Sequence, residues 1–309
     1  MGIDVGGTNT RLALINEQGE LVKSSRFSTL SYKDSTAFLD KLLREIVPLI
    51  KGEAPIGIGI AVPGVVDASG TVLRYAPNLN WIDIPMGKAL SDRTGLPVYL
   101  ENDANLAALG ELGFGELKGE SDGIALTIGT GIGGGVILNG SLFRGKDGMG
   151  TEIGHMGLVF GGGICGCGKK GCFEVYASAN GFIRIAAEEY MNAKTTFPKS
   201  ESEQKKMPEI ILTNYLSRIP LAIGIVEKYS DFLAAGIGSL INIFGPVKVV
   251  LAGGLFHSGE ILLPVVTGKL SQYCFRLFAE KTVIVKSNLI DKSSLLGAYL
   301  LLREKIVDQ

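Results

Sequence analysis

Apolar runs and short polar turns alternate along most of the chain, a pattern typical of strands mixed with helices. Runs bounded by glycine, proline or asparagine predict strands at residues 3–5, 11–15, 56–62, 98–100, 124–128, 135–138, 247–251 and 283–286. Apolar residues at helical spacing predict helices at residues 38–50, 104–112, 233–242 and 293–304. Residues 194–208 are polar and aperiodic, which predicts a surface excursion. The mixture indicates an α/β fold.

The opening pattern of strand, glycine turn, strand and tight turn occurs a second time. At a constant offset, Gly6 matches Gly129, and the apolar residues 13–15 match residues 136–138. Two unrelated hairpins are the alternative, because glycine-rich turns are common. Strand, turn and register agree together, however, so we favour a duplicated domain.

Composition narrows the class of protein. Of the 309 residues, 46% are hydrophobic and 20% are charged, which is typical of a globular chain of roughly two domains. The formal net charge of −1 argues against a nucleic-acid partner, since such proteins usually carry a basic face. The apolar stretches are short and broken by glycine, and residues 1–4 lead directly into a predicted strand, so we expect neither a membrane span nor a signal peptide. We therefore expect a cytoplasmic protein with no nucleic-acid or membrane partner.

Three of the four cysteines cluster in the sequence at Cys165, Cys167 and Cys172, shortly after His155. In a cytosolic chain such a cluster is more often a metal site than a disulfide framework. Three thiolates and one imidazole make a closed tetrahedral zinc site with no position left for water. Reduced structural cysteines near a histidine are the alternative. We expect a structural Zn²⁺, around which the neighbouring glycines let the chain wrap tightly.

Glycine turns follow three of the predicted strands, at residues 6–9, 129–134 and 252–254. The backbone amides of such turns can hold phosphate, and Asp4 at the end of the first strand can hold Mg²⁺ through water. Ordinary hairpin turns are the alternative. None of the turns has the Gly-x-x-x-x-Gly-Lys-Ser/Thr pattern, which disfavours a P-loop ATPase.

Glu101, Asn102 and Asp103 lie where a predicted strand meets a predicted helix. A carboxylate there can accept a proton from a hydroxyl group, a poor nucleophile that needs such a base in phosphoryl transfer. Alternatively, Asn102 or Asp103 only caps the helix, and spacing alone favours this simpler role.

Together these motifs resemble the ROK (repressor, open reading frame, kinase) family, specifically its bacterial glucokinase-like sugar kinases. The resemblance extends from Asp4 to about Ala298, and its segments are DVGGTNTR (4–11), ENDAN (101–105), GTEIGH (150–155) and CGCGKKGCFE (165–174). It implies two duplicated actin-like ATPase (ribonuclease H-like) α/β domains with a cleft between them. We place these domains at residues 1–115 plus 296–309 and at residues 116–295, the second with the zinc loop.

The resemblance also implies a role for each matching residue. Asp103 would be the general base, and His155 would use one ring nitrogen for zinc and the other for a sugar hydroxyl. The hexose would be contacted by Asn78, Asn102, Asp103, Glu152, His155 and Glu174. Zinc would be held by His155, Cys165, Cys167 and Cys172. ATP and Mg²⁺ would be bound by Asp4, Gly6, Gly7, Thr8, Asn9, Arg11, Gly129, Thr130, Gly131, Gly133, Gly253 and Gly254.

The implied activity is transfer of a phosphoryl group from ATP to a hexose. Residues 101–108 are most similar to glucokinases, which favours the 6-hydroxyl of glucose. The alternatives are a kinase for N-acetylmannosamine, N-acetylglucosamine, mannose, allose or fructose, use of polyphosphate as donor, or a non-catalytic sugar-binding regulator. Repressors of the family carry a helix-turn-helix before the phosphate motif, where this chain has only residues 1–3, so we expect a kinase. We also expect a homodimer or a higher homo-oligomer.

Overall fold

The structure is a computed structural model that describes residues 1–148, 150–257 and 260–306. Its strands are β1 (Gly2–Val5), β2 (Asn9–Ile15), β3 (Leu21–Ser28), β4 (Ile58–Val62), β5 (Val65–Val66), β6 (Leu73–Ala76), β7 (Trp81–Ile84), β8 (Val98–Asn102), β9 (Gly123–Ile128), β10 (Ile132–Leu138), β11 (Ser141–Phe143), β12 (Lys248–Ala252) and β13 (Val283–Lys286).

Helices occupy much of the remaining chain. They are α1 (Ser35–Ile50), α2 (Met86–Thr94), α3 (Asp103–Phe114), α4 (Phe173–Ala177), α5 (Ala179–Asn192), α6 (Glu201–Gln204), α7 (Met207–Leu216), α8 (Pro220–Phe244), α9 (Gly254–His257), α10 (Leu262–Lys269), α11 (Arg276–Lys281) and α12 (Ser293–Ile306).

Two five-stranded sheets have the same strand order, β3-β2-β1-β4-β8 and β11-β10-β9-β12-β13. In each, an antiparallel pair (β2 with β3, β10 with β11) leads to a parallel run (β1 with β4 and β8, β9 with β12 and β13). The strands β2 and β10 are both seven residues long and are separated by the offset that matches Gly6 with Gly129. The predicted duplication of topology is therefore confirmed.

The chain folds into two compact units. The first comprises Met1–Ser121, Gly135–Thr151 and Asp291–Gln309, and the second comprises Asp122–Gly134 and Glu152–Ile290. The domain limits expected from the sequence, at 115/116 and 295/296, stay a prediction.

In the first unit, helices pack on both faces of the sheet. On one face the core is formed by Ile3, Leu12, Ile60 and neighbouring residues against Phe38 and Leu42 of α1. On the other face α3 and α12 cross closely at Gly297. The helices are so near there that an added Cβ would lie 1.8 Å from the carbonyl oxygen of Leu106. This packing fixes the helix α3 that begins at Asp103.

In the second unit the long helix α8 forms the centre of a helical layer and packs against α4, α5, α7 and α10. Gly236 of α8 lets the Phe173 ring approach, since a Cβ there would lie 2.1 Å from a ring carbon. No single helix of the described ranges is long and apolar enough to cross a membrane. The segments Glu201–Leu216 and Pro220–Phe244 qualify by length and composition only as a pair, with a bend of 114° between them.

Several predicted boundaries differ from those of the structure. The predicted strand 98–100 continues to Asn102, and the glycine turn expected at 129–134 is shorter, since β10 already begins at Ile132. The helix predicted at 233–242 begins at Pro220, because its buried residues continue back to Ala222. The predicted excursion 194–208 contains α6 and the start of α7, where Met207 is buried. The small sheet β5-β6-β7 was not predicted.

Candidate functional site

The candidate residues lie in both units, with Asp4, Asn102 and Asp103 in the first and the cysteine cluster in the second. Asp103 is the first residue of α3 and is half-buried, and its Oδ1 accepts a hydrogen bond from the Ala104 amide at 2.8 Å. A helix N-terminus carries a partial positive charge, which stabilises an ionised carboxylate. Asp103 thus presents its carboxylate at the N-terminus of α3.

Asn102 caps this helix. Its Oδ1 accepts hydrogen bonds from the amides of Ala104 at 2.9 Å and Asn105 at 3.1 Å, and its Nδ2 donates to the Gly64 carbonyl oxygen at 3.2 Å. The capping role considered from the sequence is therefore real for Asn102, whereas Asp103 occupies the first helical position. Asn78 lies in an exposed turn between β6 and β7.

A cluster of ion pairs lies beside the start of α3. Glu101 is buried, and its Oε2 accepts from Arg144 Nε at 2.6 Å. The other side of the guanidinium contacts Glu304, with Nη2 to Oε2 at 2.8 Å. Burial alone would lower the pKa of Arg144, but the hydrogen bonds to Glu304 and Glu101 outweigh it and raise that pKa. Arg144 therefore stays charged between two carboxylates.

Asp4 at the end of β1 is also buried and paired. Arg11, its partner across the β1–β2 ladder, donates through Nη2 to Asp4 Oδ2 at 2.6 Å. Burial raises the pKa of Asp4, and the Arg11 charge opposes that rise. The following turn is closed by a hydrogen bond from the Gly6 amide to the Asn9 carbonyl oxygen at 3.0 Å.

The glycines of the three predicted phosphate turns are of two kinds. At Gly7, Gly129 and Gly254 an added Cβ would meet no atom within 4 Å. At Gly131 and Gly253 it would lie 2.5 Å from Glu174 Oε2 and 2.2 Å from the Ile128 carbonyl oxygen. Packing within the protein explains the second kind. The open glycines leave free space beside the backbone, which a ligand such as a nucleotide phosphate chain can enter.

In the second unit the structure brings the four predicted metal ligands together. The ligand atoms of His155, Cys165, Cys167 and Cys172 all lie within 4.8 Å of one another. The Sγ atoms of Cys167 and Cys172 are 3.7 Å apart, and His155 Nδ1 lies 3.6 Å from Cys165 Sγ. A tetrahedral zinc ion requires sulfur–sulfur and sulfur–nitrogen distances of about 3.8 Å and about 3.6 Å. The donor set therefore fits zinc.

Local structure explains how the chain forms this cluster. Gly168 and Gly171 have φ values of 82° and 77°, which glycine adopts without strain. The Cys165 amide donates to the Lys169 carbonyl oxygen at 2.8 Å, and the Leu158 amide donates to Gly171 at 2.7 Å. Burial raises the pKa of the Cys165 thiol, so a metal that binds it as thiolate must release its proton.

Glu174 connects the metal cluster with the β9–β10 turn. Its Oε1 accepts from Cys165 Sγ at 2.8 Å and lies 3.6 Å from His155 Nδ1, and its Oε2 accepts from the Ile132 amide at 3.4 Å. Because Nδ1 of His155 faces the thiols, its Nε2 is the nitrogen left for another partner. Glu152 is exposed, and its carbonyl oxygen accepts from the His155 amide at 3.0 Å.

Comparison with known proteins shows which family the chain is related to. Residues 1–305 match the model of the ROK family. A glucokinase of Thermotoga maritima is 33% identical over 309 residues, covering 99% of this chain and 98% of that protein. A xylose repressor of Caldicellulosiruptor bescii is 30% identical over 305 residues, covering 96% of this chain and 76% of that protein.

A solved structure agrees with these sequence matches. A ROK family glucokinase from Streptomyces griseus, in complex with glucose and AMPPNP, superimposes with a TM-score of 0.82 at 29% identity and 98% coverage of both chains. The chain belongs to the ROK family. The expected actin-like ATPase fold is confirmed with it, since the two mixed sheets are those of the ROK fold.

Sequence reasoning missed one part of this ROK site. Glu101 was noted only as part of a motif, and its partners Arg144 and Glu304 were not considered. The nearby hydrogen bond from Thr151 Oγ1 to Asn105 Oδ1, at 2.9 Å, was also missed. A buried glutamate at a strand end is a signal that a cation must lie nearby, but the sequence does not say which one.

Proposed function

We propose that the protein is an ATP-dependent hexose kinase that phosphorylates the 6-hydroxyl of glucose. The observation that carries the proposal is the position of Asp103, a half-buried carboxylate on the first residue of α3 and next to the cap Asn102. A carboxylate at this position can serve as the base for a sugar hydroxyl, and the glucokinase of Thermotoga maritima is similar over almost its whole length.

In the proposed reaction Asp103 accepts the proton of the sugar hydroxyl as the hydroxyl oxygen attacks the γ-phosphorus of ATP. The new oxygen–phosphorus bond forms while the bond from the γ-phosphorus to the bridging β,γ-oxygen breaks, and ADP leaves with the electron pair. The Ala104 amide in α3 holds the carboxylate in place through a hydrogen bond. Proposed hexose contacts come from Asn78, Asn102, Glu152, His155 and Glu174.

The nucleotide is assigned to the glycine turns and their neighbours. The open space beside Gly7, Gly129 and Gly254 supports this assignment, since a phosphate chain can approach the backbone at these positions without meeting protein atoms. Asp4 would position Mg²⁺ through water, with Arg11 fixing its carboxylate. A Mg²⁺ ion bound there would neutralise part of the negative charge on the phosphate groups of ATP.

Zinc would be held by His155, Cys165, Cys167 and Cys172. Bound there, it supplies a fixed anchor for the imidazole ring and for the loop that leads to Glu174. Since four protein ligands close the coordination shell, His155 and Glu174 act on the sugar only by orienting and hydrogen-bonding it.

The test is a coupled assay with ATP, Mg²⁺ and a panel of hexoses. We expect the highest kcat/KM for glucose, with mannose, fructose and the N-acetylated hexosamines at least about tenfold worse, an effect that one lost polar contact can supply. Asp103→Asn should lower kcat by about 10²–10⁴ and leave glucose binding nearly intact. If an N-acetylated sugar is best, the glucose assignment is wrong and the kinase assignment stands.

A sugar-sensing regulator is the second candidate, because the xylose repressor of Caldicellulosiruptor bescii is also 30% identical. The same assay separates the two functions. A regulator would bind a sugar in calorimetry but transfer no phosphoryl group from ATP to any member of the panel.

A further inference from the structure

The proposed mechanism leaves Arg144 without a role, although its side chain joins three distant segments of the first unit. Its Nε donates to Glu101 at the end of β8, and its Nη1 and Nη2 donate to the two carboxylate oxygens of Glu304 in α12, at 3.3 Å and 2.8 Å. The planar guanidinium group favours this fixed, forked geometry.

The carboxylate of Glu101 contacts one residue on each side of Asp103, namely Asn102 before it and Asn105 two positions after it. Glu101 Oε1 accepts from the Asn102 amide at 2.9 Å and from Asn105 Nδ2 at 3.1 Å. Asn102 caps α3, and Asn105 is the third residue of the same helix. One carboxylate therefore fixes the backbone before Asp103 and the side chain after it.

Glu101 needs Arg144 in order to hold this position. Its side chain is only 12% exposed, and a buried carboxylate without a cation is costly, so it shifts, takes up a proton or opens its surroundings to water. Each of these responses would alter the hydrogen bonds to Asn102 and Asn105. The ion pair is thus better suited to fixing geometry than to adding stability.

We propose that Arg144 is a positioning residue that acts through Glu101 to hold Asp103 in its reactive orientation. The proposal rests on the proposed function, in which Asp103 is the base. A displacement of about 1 Å in a reacting group can lower the rate by about 10²-fold, so the loss of Arg144 is expected to lower kcat.

The first test compares Arg144→Gln with a matched control. Lys269→Gln removes a cation that is similarly enclosed, with a side chain 15% exposed, between Glu227 and Asp231 at 2.8 Å each in the second unit. We expect a loss of stability in both variants, but a fall in kcat of about 10–100-fold only in Arg144→Gln, with the KM for ATP unchanged. Arg144→Lys should recover part of the rate, because lysine restores the positive charge but lacks the planar guanidinium group that bridges the two carboxylates.

A double-mutant cycle with Asp103→Asn then asks whether Arg144 acts through Asp103. In the Asp103→Asn background Arg144→Gln should change kcat by less than about threefold, since residues that act as a unit are not additive. A kcat for Arg144→Gln within about twofold of the wild type, or two effects that multiply fully, would overturn the proposal.

Hydrogen exchange gives a readout that does not depend on turnover. Arg144→Gln should weaken the protection of the Ala104 and Asn105 amides, which donate to Asn102, and Lys269→Gln should not. A wild-type protein that transfers no phosphoryl group refutes the proposed function. Unchanged protection in Arg144→Gln refutes the positioning role in either case.

Discussion

Gly253 and Gly254 are neighbours, yet an added methyl group would meet very different surroundings at the two positions. Gly253 has a φ of 104° and faces the Ile128 carbonyl oxygen, whereas Gly254 is the first residue of α9 with open space around it. Only the second can accept alanine without strain. The two positions therefore separate a glycine that close packing requires from a glycine beside open space.

We expect Gly254→Ala to weaken binding of a non-hydrolysable ATP analogue by about tenfold or more, with the free energy of unfolding unchanged or raised by up to about 1 kcal/mol. Gly253→Ala should lower the free energy of unfolding by more than about 1 kcal/mol because its backbone conformation disfavours a side chain. Calorimetric titration and urea denaturation measure the two effects. Normal analogue affinity in Gly254→Ala would remove this turn from the nucleotide site.

At this scale the sequence predicts best where partners are close along the chain. The metal cluster could be predicted because Cys165, Cys167 and Cys172 are close together in the sequence and all carry thiol groups, which are zinc ligands. The contact of Arg144 with Glu304 could not, since 160 positions separate the two residues and arginine–glutamate pairs follow no motif. Spacing favoured a helix cap at residues 102–103, and that role is real for Asn102.

Among the elements, the loop from Leu158 to Cys172 is the one whose order we expect to depend most on the proposed zinc ion. It contains no helix or strand longer than an isolated bridge, and its hydrogen bonds converge on Cys165 and Gly171. Such a loop has little apolar burial of its own, so a zinc ion bound to the cluster would supply the free energy that orders it. The next residues, Phe173 and Glu174, begin α4, so an ordered loop would also fix the position of their side chains.

Cys167→Ser should therefore lower the zinc content far below one equivalent and speed hydrogen exchange throughout residues 158–172. Cys274→Ser is the matched control, because the buried Cys274 donates to the Leu270 carbonyl oxygen outside the metal cluster and serine can do the same. Elemental analysis of protein purified without added metal measures the content. Wild-type protein with less than about a tenth of an equivalent of zinc would contradict the metal assignment, given the affinity of such sites.

Element types were easier to predict than element limits. The strand β13 was predicted with its full range because polar residues bound its apolar run. The helix α8 was predicted at less than half its length, since its first turns carry Gly224 and mixed charges that weaken the periodic pattern. Tertiary packing against α5 and α7 extends it, and the sequence does not display that packing.

At the scale of the whole molecule, the two sheets have the same strand order, but the helices and loops that accompany them differ. The first unit carries the cap and carboxylate of α3, and the second carries the metal loop between β11 and β12. The proposed hexose contacts divide in the same way, with Asn102 and Asp103 in the first unit and His155 and Glu174 in the second.

This division predicts how the protein responds to sugar alone. If one glucose molecule uses both sets of contacts, its binding must slow hydrogen exchange in residues 102–106 and in residues 153–174 together, in proportion to the fraction bound. Mass spectrometry of exchange at several glucose concentrations, without nucleotide, measures both segments in one experiment. Asp103→Asn is the control, since it keeps the hydrogen-bonding shape of the site and should show the same paired protection while losing turnover. Protection confined to the second unit would contradict the contact assigned to Asn102 and Asp103, and would favour a sugar-binding protein in which α3 has no part.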